Sequence, residues 1–263
     1  MPQFSGKVAI VTGASKGMGR QFVAALVDRG MRVACLARPS PELDALQDTF
    51  GDQIGLFPCD IARPDAVKAA VDGAARQFGR LDVLINNAAI FHPFAFETGT
   101  DALIRNHVDV NILGTAWMIR AAIPHLRATR GQIVNISSES VRMPFPMLAM
   151  YAATKAAVEC LSQGLRDELR ADGIRVSILR SGSVAGGSGS ANWSTETTQA
   201  FYRKIVETGH AAMTGTPAQP ESMAAALIAI LTLPPDINAD LIEVRAAHEG
   251  MPAGARTATS TDA

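Results

Sequence analysis

Tyr151 and Lys155 stand four residues apart in Tyr151-Ala152-Ala153-Thr154-Lys155, at the start of an alanine-rich stretch with helical periodicity. That spacing is about one helical turn, so the phenol and the amine share a face. An ammonium beside a phenol favours the phenolate and draws its pKa down from about 10. The positive end of the helix acts in the same sense. A phenol tuned in this way is a general acid for a carbonyl under reduction. A surface Tyr–Lys pair is the default reading of such a spacing, so its neighbours decide. Thirteen residues before Tyr151, the apolar run of Asn135-Ile136-Ser137-Ser138 ends at Ser138, whose hydroxyl can hold a substrate oxygen. Ser137 reads as a turn or cap residue. Asn111 falls in a long helical segment among Val108, Ile112 and Trp117, where asparagine is unfavourable by propensity. The chain has only five lysines (Lys7, Lys16, Lys68, Lys155 and Lys204), and two of them fall in these motifs. Arginine, with a pKa above about 12, does not lend its proton as lysine can.

A second motif precedes this one. Thr12-Gly13-Ala14-Ser15-Lys16-Gly17-Met18-Gly19 follows the apolar run 8–11 and opens a helix. Glycines allow the tight turn and the close approach of backbone to a pyrophosphate, while the helix N-terminus offers free N–H groups. Such a turn can also serve packing alone; its place after the first strand favours nucleotide binding.

The elements that must position these residues alternate regularly. Runs 8–11, 33–37, 54–57, 81–85, 133–136 and 176–179 read as strands buried on both faces. Between them lie amphipathic stretches such as 21–29, 63–78 and 150–169. This alternation predicts an α/β fold: a doubly wound, Rossmann-like parallel sheet with helices on both faces. No linker interrupts the pattern, so residues 1–245 read as one domain. Within it, 182–216 opens with a Gly/Ser-rich loop and reads as a substrate loop or lid. Residues 246–263 contain no Leu, Ile, Val or Phe and read as a loose tail.

The glycine spacing, Asn111, Ser138, Tyr151 and Lys155, in this order and separation, resemble the short-chain dehydrogenase/reductase family in its compact single-domain branch. The resemblance implies hydride transfer between a nicotinamide and a carbonyl or secondary alcohol. It implies that Tyr151 gives the proton in reduction and that Ser138 holds the oxygen. Lys155 would tune Tyr151 and bind the ribose, and Asn111 would help hold a water linked to the lysine. Gly13, Ser15, Lys16, Gly17, Met18 and Gly19 would form the phosphate-binding turn. Asp60, followed by Ile61, would contact the adenine amino group; capping of the next helix is the equal alternative for Asp60. Asn87 and Ala88, in Asn86-Asn87-Ala88-Ala89, would line the cofactor, with Ala89 where the family has glycine. The family's Pro-Gly-x-Val-x-Thr reads here Ser181-Gly182-Ser183-Val184-Ala185-Gly186. The threonine that holds the carboxamide is replaced, which leaves Gly182 and the backbone of Val184.

In dinucleotide folds an acid about 20 residues past the glycines usually holds the ribose 2′-hydroxyl of NAD. Here the second strand ends Cys35-Leu36-Ala37-Arg38, with no acid. A guanidinium can pair with a 2′-phosphate, and Lys16 offers a second cation. Both features favour NADP(H), with NADPH preferred over NADH.

Composition narrows the partners. Charged residues make up 19% and apolar residues 48%, with a net charge of −1. That balance argues against nucleic-acid or membrane-surface binding, which needs a basic excess. The longest apolar run, 224–231, falls short of the roughly 18–20 residues that span a bilayer, and 8–11 is too short for a signal-peptide core. These features give the expectation of a cytoplasmic protein. Cys35, Cys59 and Cys160 read as small apolar residues, and the five histidines show no ligand spacing, so no metal is expected. Candidate substrate residues are Met143, Phe145 and Trp193, with Phe91, Phe94, Phe96, Phe201 and Tyr202 nearby. As a set they suggest a hydrophobic ketone or alcohol. One alternative is a 3-oxoacyl-carrier-protein reductase whose Arg127, Arg130, Arg166 and Arg170 meet an acidic carrier. Another is a non-catalytic dinucleotide sensor. By resemblance, the Asn111 and Tyr151 helices would pack against copies of themselves in a homodimer or homotetramer.

Overall fold

A computed structural model describes residues 3–186, 189, 193–212 and 216–247. Seven strands form one parallel sheet: β1 Val8–Thr12, β2 Arg32–Ala37, β3 Ile54–Pro58, β4 Val83–Asn86, β5 Gln132–Ser138, β6 Arg175–Ser181 and β7 Leu241–Val244. Their spatial order is β3-β2-β1-β4-β5-β6-β7. The chain winds outward in one direction from β1 and then in the other from β4. Between these two strands lies the switch point, where a crevice opens beyond the carboxyl ends of the strands. This is the doubly wound, Rossmann-like α/β architecture expected from the strand–helix alternation.

Strand residues are apolar on both faces because both faces are covered. Ala9 and Val11 join the core under α1 (Gly17–Val27), α2 (Pro41–Phe50) and α8 (Pro220–Leu231). Val8 and Ile10 join the opposite core, under α3 (Pro64–Phe78) and α5 (Thr115–Thr129). Burying each large side chain, such as Phe22, Leu26 and Leu227 on the first face, contributes about 1.5–3 kcal/mol.

Three features go beyond the sequence-based expectation. First, β7 adds a seventh strand, beside β6, with Leu241 37% exposed. Second, α4 (Asp101–His107) runs into α5 through a π-helical stretch, Val108–Gly114, which carries Asn111. Third, the segment read as a loop carries α7, Thr195–Glu207, whose N-cap Ser194 accepts from the Thr197 amide at 3.0 Å. Residues 187–188, 190–192 and 213–215 of that segment lie outside the described residues, as do 248–263 of the expected tail. Among the described residues no helix is long and apolar enough to cross a membrane, and no cluster of three metal-ligating side chains occurs.

Candidate active site

The site forms where β5 ends and α6 (Ala149–Glu168) begins. Ser138 is the last residue of β5; its hydroxyl accepts from the Ser140 N–H at 3.2 Å and acts on the Tyr151 phenol in the first turn of α6, favouring the phenolate. Lys155, one turn further, donates from Nζ to the Ile136 carbonyl at 2.8 Å. Its Nζ lies 5.8 Å from the centre of the Tyr151 ring.

The titration of the pair departs from the sequence-based expectation for tyrosine. Burial pushes the Tyr151 phenol up to about 12, and the Ser138 bond only partly opposes it. Burial likewise pushes Lys155 down to about 8, against the pull of the Glu159 carboxylate. Desolvation of the phenolate is the larger cause of the tyrosine shift. At neutral pH Tyr151 is therefore a protonated phenol and Lys155 a charged amine.

Asn111 is buried, and the wide π-helical turn sets its amide against the loop after β4. Its Oδ1 accepts from the Ile90 N–H at 2.8 Å, and its Nδ2 donates to the Ile90 carbonyl at 3.0 Å. The same Nδ2 reaches Thr154 Oγ1 at 3.0 Å, and Thr154 in turn donates to the Tyr151 carbonyl at 2.7 Å. Asn111 thus ties the loop after β4 to the helix of Tyr151 and Lys155. Sequence reasoning missed Thr154 as the link. Its signal was a β-branched hydroxyl inside a helix, between Tyr151 and Lys155.

The glycine turn lies at the switch point. Gly13 has φ +65°, and a Cβ on Gly19 would stand 2.0 Å from the Gly13 carbonyl oxygen. Only glycine allows this approach. The N-cap of α1, Lys16, makes no side-chain cap bond, so the first turn presents its N–H groups to an anion. Asn87 fastens the turn from the β4 side, donating from Nδ2 to the carbonyls of Thr12 (3.0 Å) and Gly13 (3.3 Å). The Thr12 hydroxyl accepts from the amides of Asn87 and Ala88, both at 3.0 Å. A close-backed turn with a free helix N-terminus fits a dinucleotide pyrophosphate.

The other candidate cofactor residues follow the carboxyl ends of β1, β2, β3 and β6. Ala14 N–H donates to the Leu36 carbonyl at 3.2 Å, which brings the turn to the end of β2. Lys16 and Arg38, each two residues further on, are both exposed there. Ser15 is buried and Met18 half-buried. Asp60 accepts from the Ala62 N–H at 3.0 Å, closing a turn; the N-cap of α3 is Arg63, so Asp60 does not cap that helix. Ile61 is buried beside it. Gly182 N–H donates to the Val244 carbonyl at 2.8 Å. Val184 forms a bridge to Ala218 through the carbonyl of Ser183 and the amide of Ala185. That pattern turns the amide groups of Val184 to the other side of the loop.

Above Tyr151 sits a third apolar cluster. Phe145, Leu148, Phe201 and Ile205 are its buried members, and Phe91, Met143, Met147, Tyr151 and Trp193 pack against them. Phe91 stands edge-to-face on Tyr151 with centroids 5.0 Å apart, and Trp193 Nε1 donates to the Phe91 carbonyl at 2.8 Å. The structure therefore brings Met143, Phe145 and Trp193 together with Tyr151. Phe96 and Tyr202, 63% and 59% exposed, stay in solvent, and Phe94 turns towards His107.

The family model described as short chain dehydrogenase matches residues 7–197. The chain belongs to the short-chain dehydrogenase family. It is 36% identical over 183 residues to an uncharacterized oxidoreductase of Staphylococcus saprophyticus, covering 68% of this chain and 74% of that one. It is 33% identical over 183 residues to an L-fucose dehydrogenase of Bos taurus, covering 69% of this chain and 67% of that one. Among solved structures, a 3-ketoacyl-(acyl-carrier-protein) reductase of Brucella melitensis in complex with NADH superposes with a TM-score of 0.81. It is 26% identical, with 92% of this chain and 98% of that chain covered. This short-chain dehydrogenase is an NAD(P)-dependent oxidoreductase acting on CH–OH groups.

Proposed function

We propose that the protein interconverts a hydrophobic ketone and its secondary alcohol with NADP(H), using Tyr151 as general acid and base. One observation carries the reading: the phenol of Tyr151, under the influence of the Ser138 hydroxyl, forms part of an aromatic and aliphatic cluster, with Lys155 one turn away. When bound, the nicotinamide supplies or accepts the hydride. Ser138 holds the substrate oxygen, and Tyr151, kept protonated by burial, gives that oxygen its proton. The charged Lys155 amine beside the ring stabilises the phenolate that this transfer leaves. In the alcohol-oxidising direction the phenolate takes the proton back. Asn111 keeps the helix and the loop after β4 in register. Phe91, Phe145 and Trp193 exclude water from the reacting carbonyl and favour apolar substrates.

Arg38 and Lys16 beside the turn, with no acid at the end of β2, support a preference for NADPH. Residues 1–245 act as one catalytic unit. Three free cysteines suit a reducing cytoplasm. The deciding experiment follows NADPH absorbance over a panel of hydrophobic ketones. Tyr151→Phe is expected to lower turnover by about 10²–10⁴-fold or more while NADPH still binds. Substantial residual turnover removes Tyr151 from the role.

The likeness to the 3-ketoacyl-(acyl-carrier-protein) reductase favours a second reading, reduction of a carrier-bound 3-oxoacyl thioester. Three of the four arginines that would greet an acidic carrier are already engaged: Arg127 with Asp172, Arg166 with Asp240 and Arg170 with Asp167. Activity on acyl-carrier thioesters without activity on free ketones would establish it. NADPH binding with no turnover of either class would mark a dinucleotide sensor instead.

A further inference from the structure

A set of charges lies buried behind the candidate catalytic residues. Glu159, one turn beyond Lys155 on α6, is 6% exposed. Its Oε1 accepts from Ser137 Oγ at 2.5 Å and from Arg180 Nε at 2.9 Å, and its Oε2 accepts from Arg180 Nη2 at 2.6 Å. Arg180, also buried, gives its remaining donor Nη1 to Glu243 on β7 at 2.9 Å. The same Glu243 oxygen accepts from Arg142 at 3.0 Å.

The connections converge on the site. Ser137 lies between Ile136, whose carbonyl takes the Lys155 ammonium, and Ser138, whose hydroxyl draws the Tyr151 phenol towards its ionised form. Glu159 shares the helix of Tyr151 and Lys155, and Arg180 lies two residues before Gly182. An ion pair in the core adds little net stability over apolar residues of the same volume. Its value here is geometric and electrostatic. On the reading of Tyr151 and Lys155 as the catalytic pair, we propose that Ser137, Glu159 and Arg180 are positioning residues. They lock the end of β5 to α6, and the Glu159 carboxylate holds the positive charge of Lys155.

The elements packed on α6 bring other charges. These are Asp109 in the π-helical stretch, His107 with the exposed Asp101 and Arg105 on α4, Glu139 after β5, and Arg175 with Arg180 on β6. Beyond α6, the turn at Arg170 and Asp172 packs against its far end. Glu139 is bound to Arg245 at 3.2 Å, and Asp172 to Arg127 at 2.8 Å. Glu159 is the neighbour whose charge opposes the burial of the Lys155 amine.

The test is an NMR titration of the lysine side chains in the full chain, whose five lysines keep the spectrum simple. Lys155→Met identifies the Lys155 signal. Glu159→Gln keeps the shape and removes the negative charge, leaving Arg180 to act on Lys155. Lys155 is expected to become a stronger acid by about tenfold or more. Arg180→Gln leaves the carboxylate without its guanidinium, and Lys155 is expected to become a weaker acid. A purely structural role gives the same sign in both variants, because loosening admits water and raises the Lys155 pKa in each. Shifts of equal sign, or none, overturn the proposal; if Arg180→Gln does not fold, the sign of the Glu159→Gln shift decides alone, and if Glu159→Gln does not fold, Arg180→Lys replaces it, since keeping the cation should leave Lys155 unshifted where loosening would make it a weaker acid. Wild-type turnover of hydrophobic ketones with NADPH is measured in parallel. Its absence counts against the catalytic reading of Tyr151 and leaves the charge arrangement to be judged by the titration.

Discussion

At the scale of single residues, the site joins groups whose protonation is set by burial. Lys155 titrates near 10.4 when unfolded and at about 8 in the folded chain. Between those values the unfolded chain binds more protons, so stability rises with pH across that window. Below pH 8 the amine is charged in both states, and the cost of burying it is constant. Tyr151, pushed up to about 12, acts oppositely above pH 10, and Cys35 and Cys59, pushed up to about 12 and about 11, do so from pH 9. The informative quantity is therefore the difference between wild type and Lys155→Met. Urea unfolding of both proteins at pH 7 and pH 10 should show that difference moving in favour of wild type by on the order of 3 kcal/mol. A difference that stays flat would mean that Lys155 is not desolvated. Arg38 carries a separate expectation. Exposed at the end of β2, it would, on the proposed NADPH preference, make a charge-assisted contact to the 2′-phosphate worth about 1.5–3 kcal/mol. Arg38→Ala should weaken NADPH binding by roughly 10- to 100-fold and leave NADH nearly unchanged, as read by nicotinamide fluorescence. Equal losses for both cofactors would place Arg38 outside the cofactor site.

At the scale of elements, the strands and the Tyr151 helix were legible because each buries residues with a clear period. The six expected strands fall within two residues of the observed ones at each end. β7 was not legible as a strand: it is four residues long, lies at the sheet edge and is only partly buried. The π-helical stretch was also hidden, since no residue type announces an extra residue in a turn. Asn111 gave the one sign, a polar side chain in an apolar helix. Beside Thr154, its partner is a backbone peptide at Ile90, and backbone partners leave no trace in side-chain spacing. The same holds for Lys155 and the Ile136 carbonyl, whereas the Glu159–Arg180 pair is separated by 21 residues and two elements. Asn111→Ala would strand the N–H and carbonyl of Ile90. Each unpaired buried group costs about 1–3 kcal/mol, so chemical denaturation should show a loss of at least that size. Turnover should fall with it, because the loop carrying Phe91 is no longer tied to α6. Full stability in Asn111→Ala would show that water replaces the amide at no cost.

At the scale of the whole molecule, the sheet, its two cores and the crevice account for the buried faces of most helices, but not for the outer side of α6. Ala149, Ala153, Ala156 and Cys160 are all exposed along that helix, at spacings of four, three and four residues. They form one narrow stripe. Gly164 continues it, and a Cβ there would meet nothing within 4 Å. Alanine is a good helix former, so a solvent-facing stripe of this kind has an explanation in propensity alone. Small side chains also let two helix backbones approach closely, which is the geometry expected if α6 packs against a second copy. The two accounts differ in what a bulky charge would do. A solvated stripe accepts glutamate with a change within about ±0.5 kcal/mol. A packed one does not, because the carboxylate would be buried without a partner. We expect sedimentation velocity to give two or four chains per particle for the wild type and a shift towards a single chain for Ala153→Glu. Since Ala153 is exposed within one chain, this variant should keep its fold by circular dichroism. A wild type that sediments as one chain at all accessible concentrations would assign the stripe to helix propensity and leave the site of Tyr151 complete within a single copy.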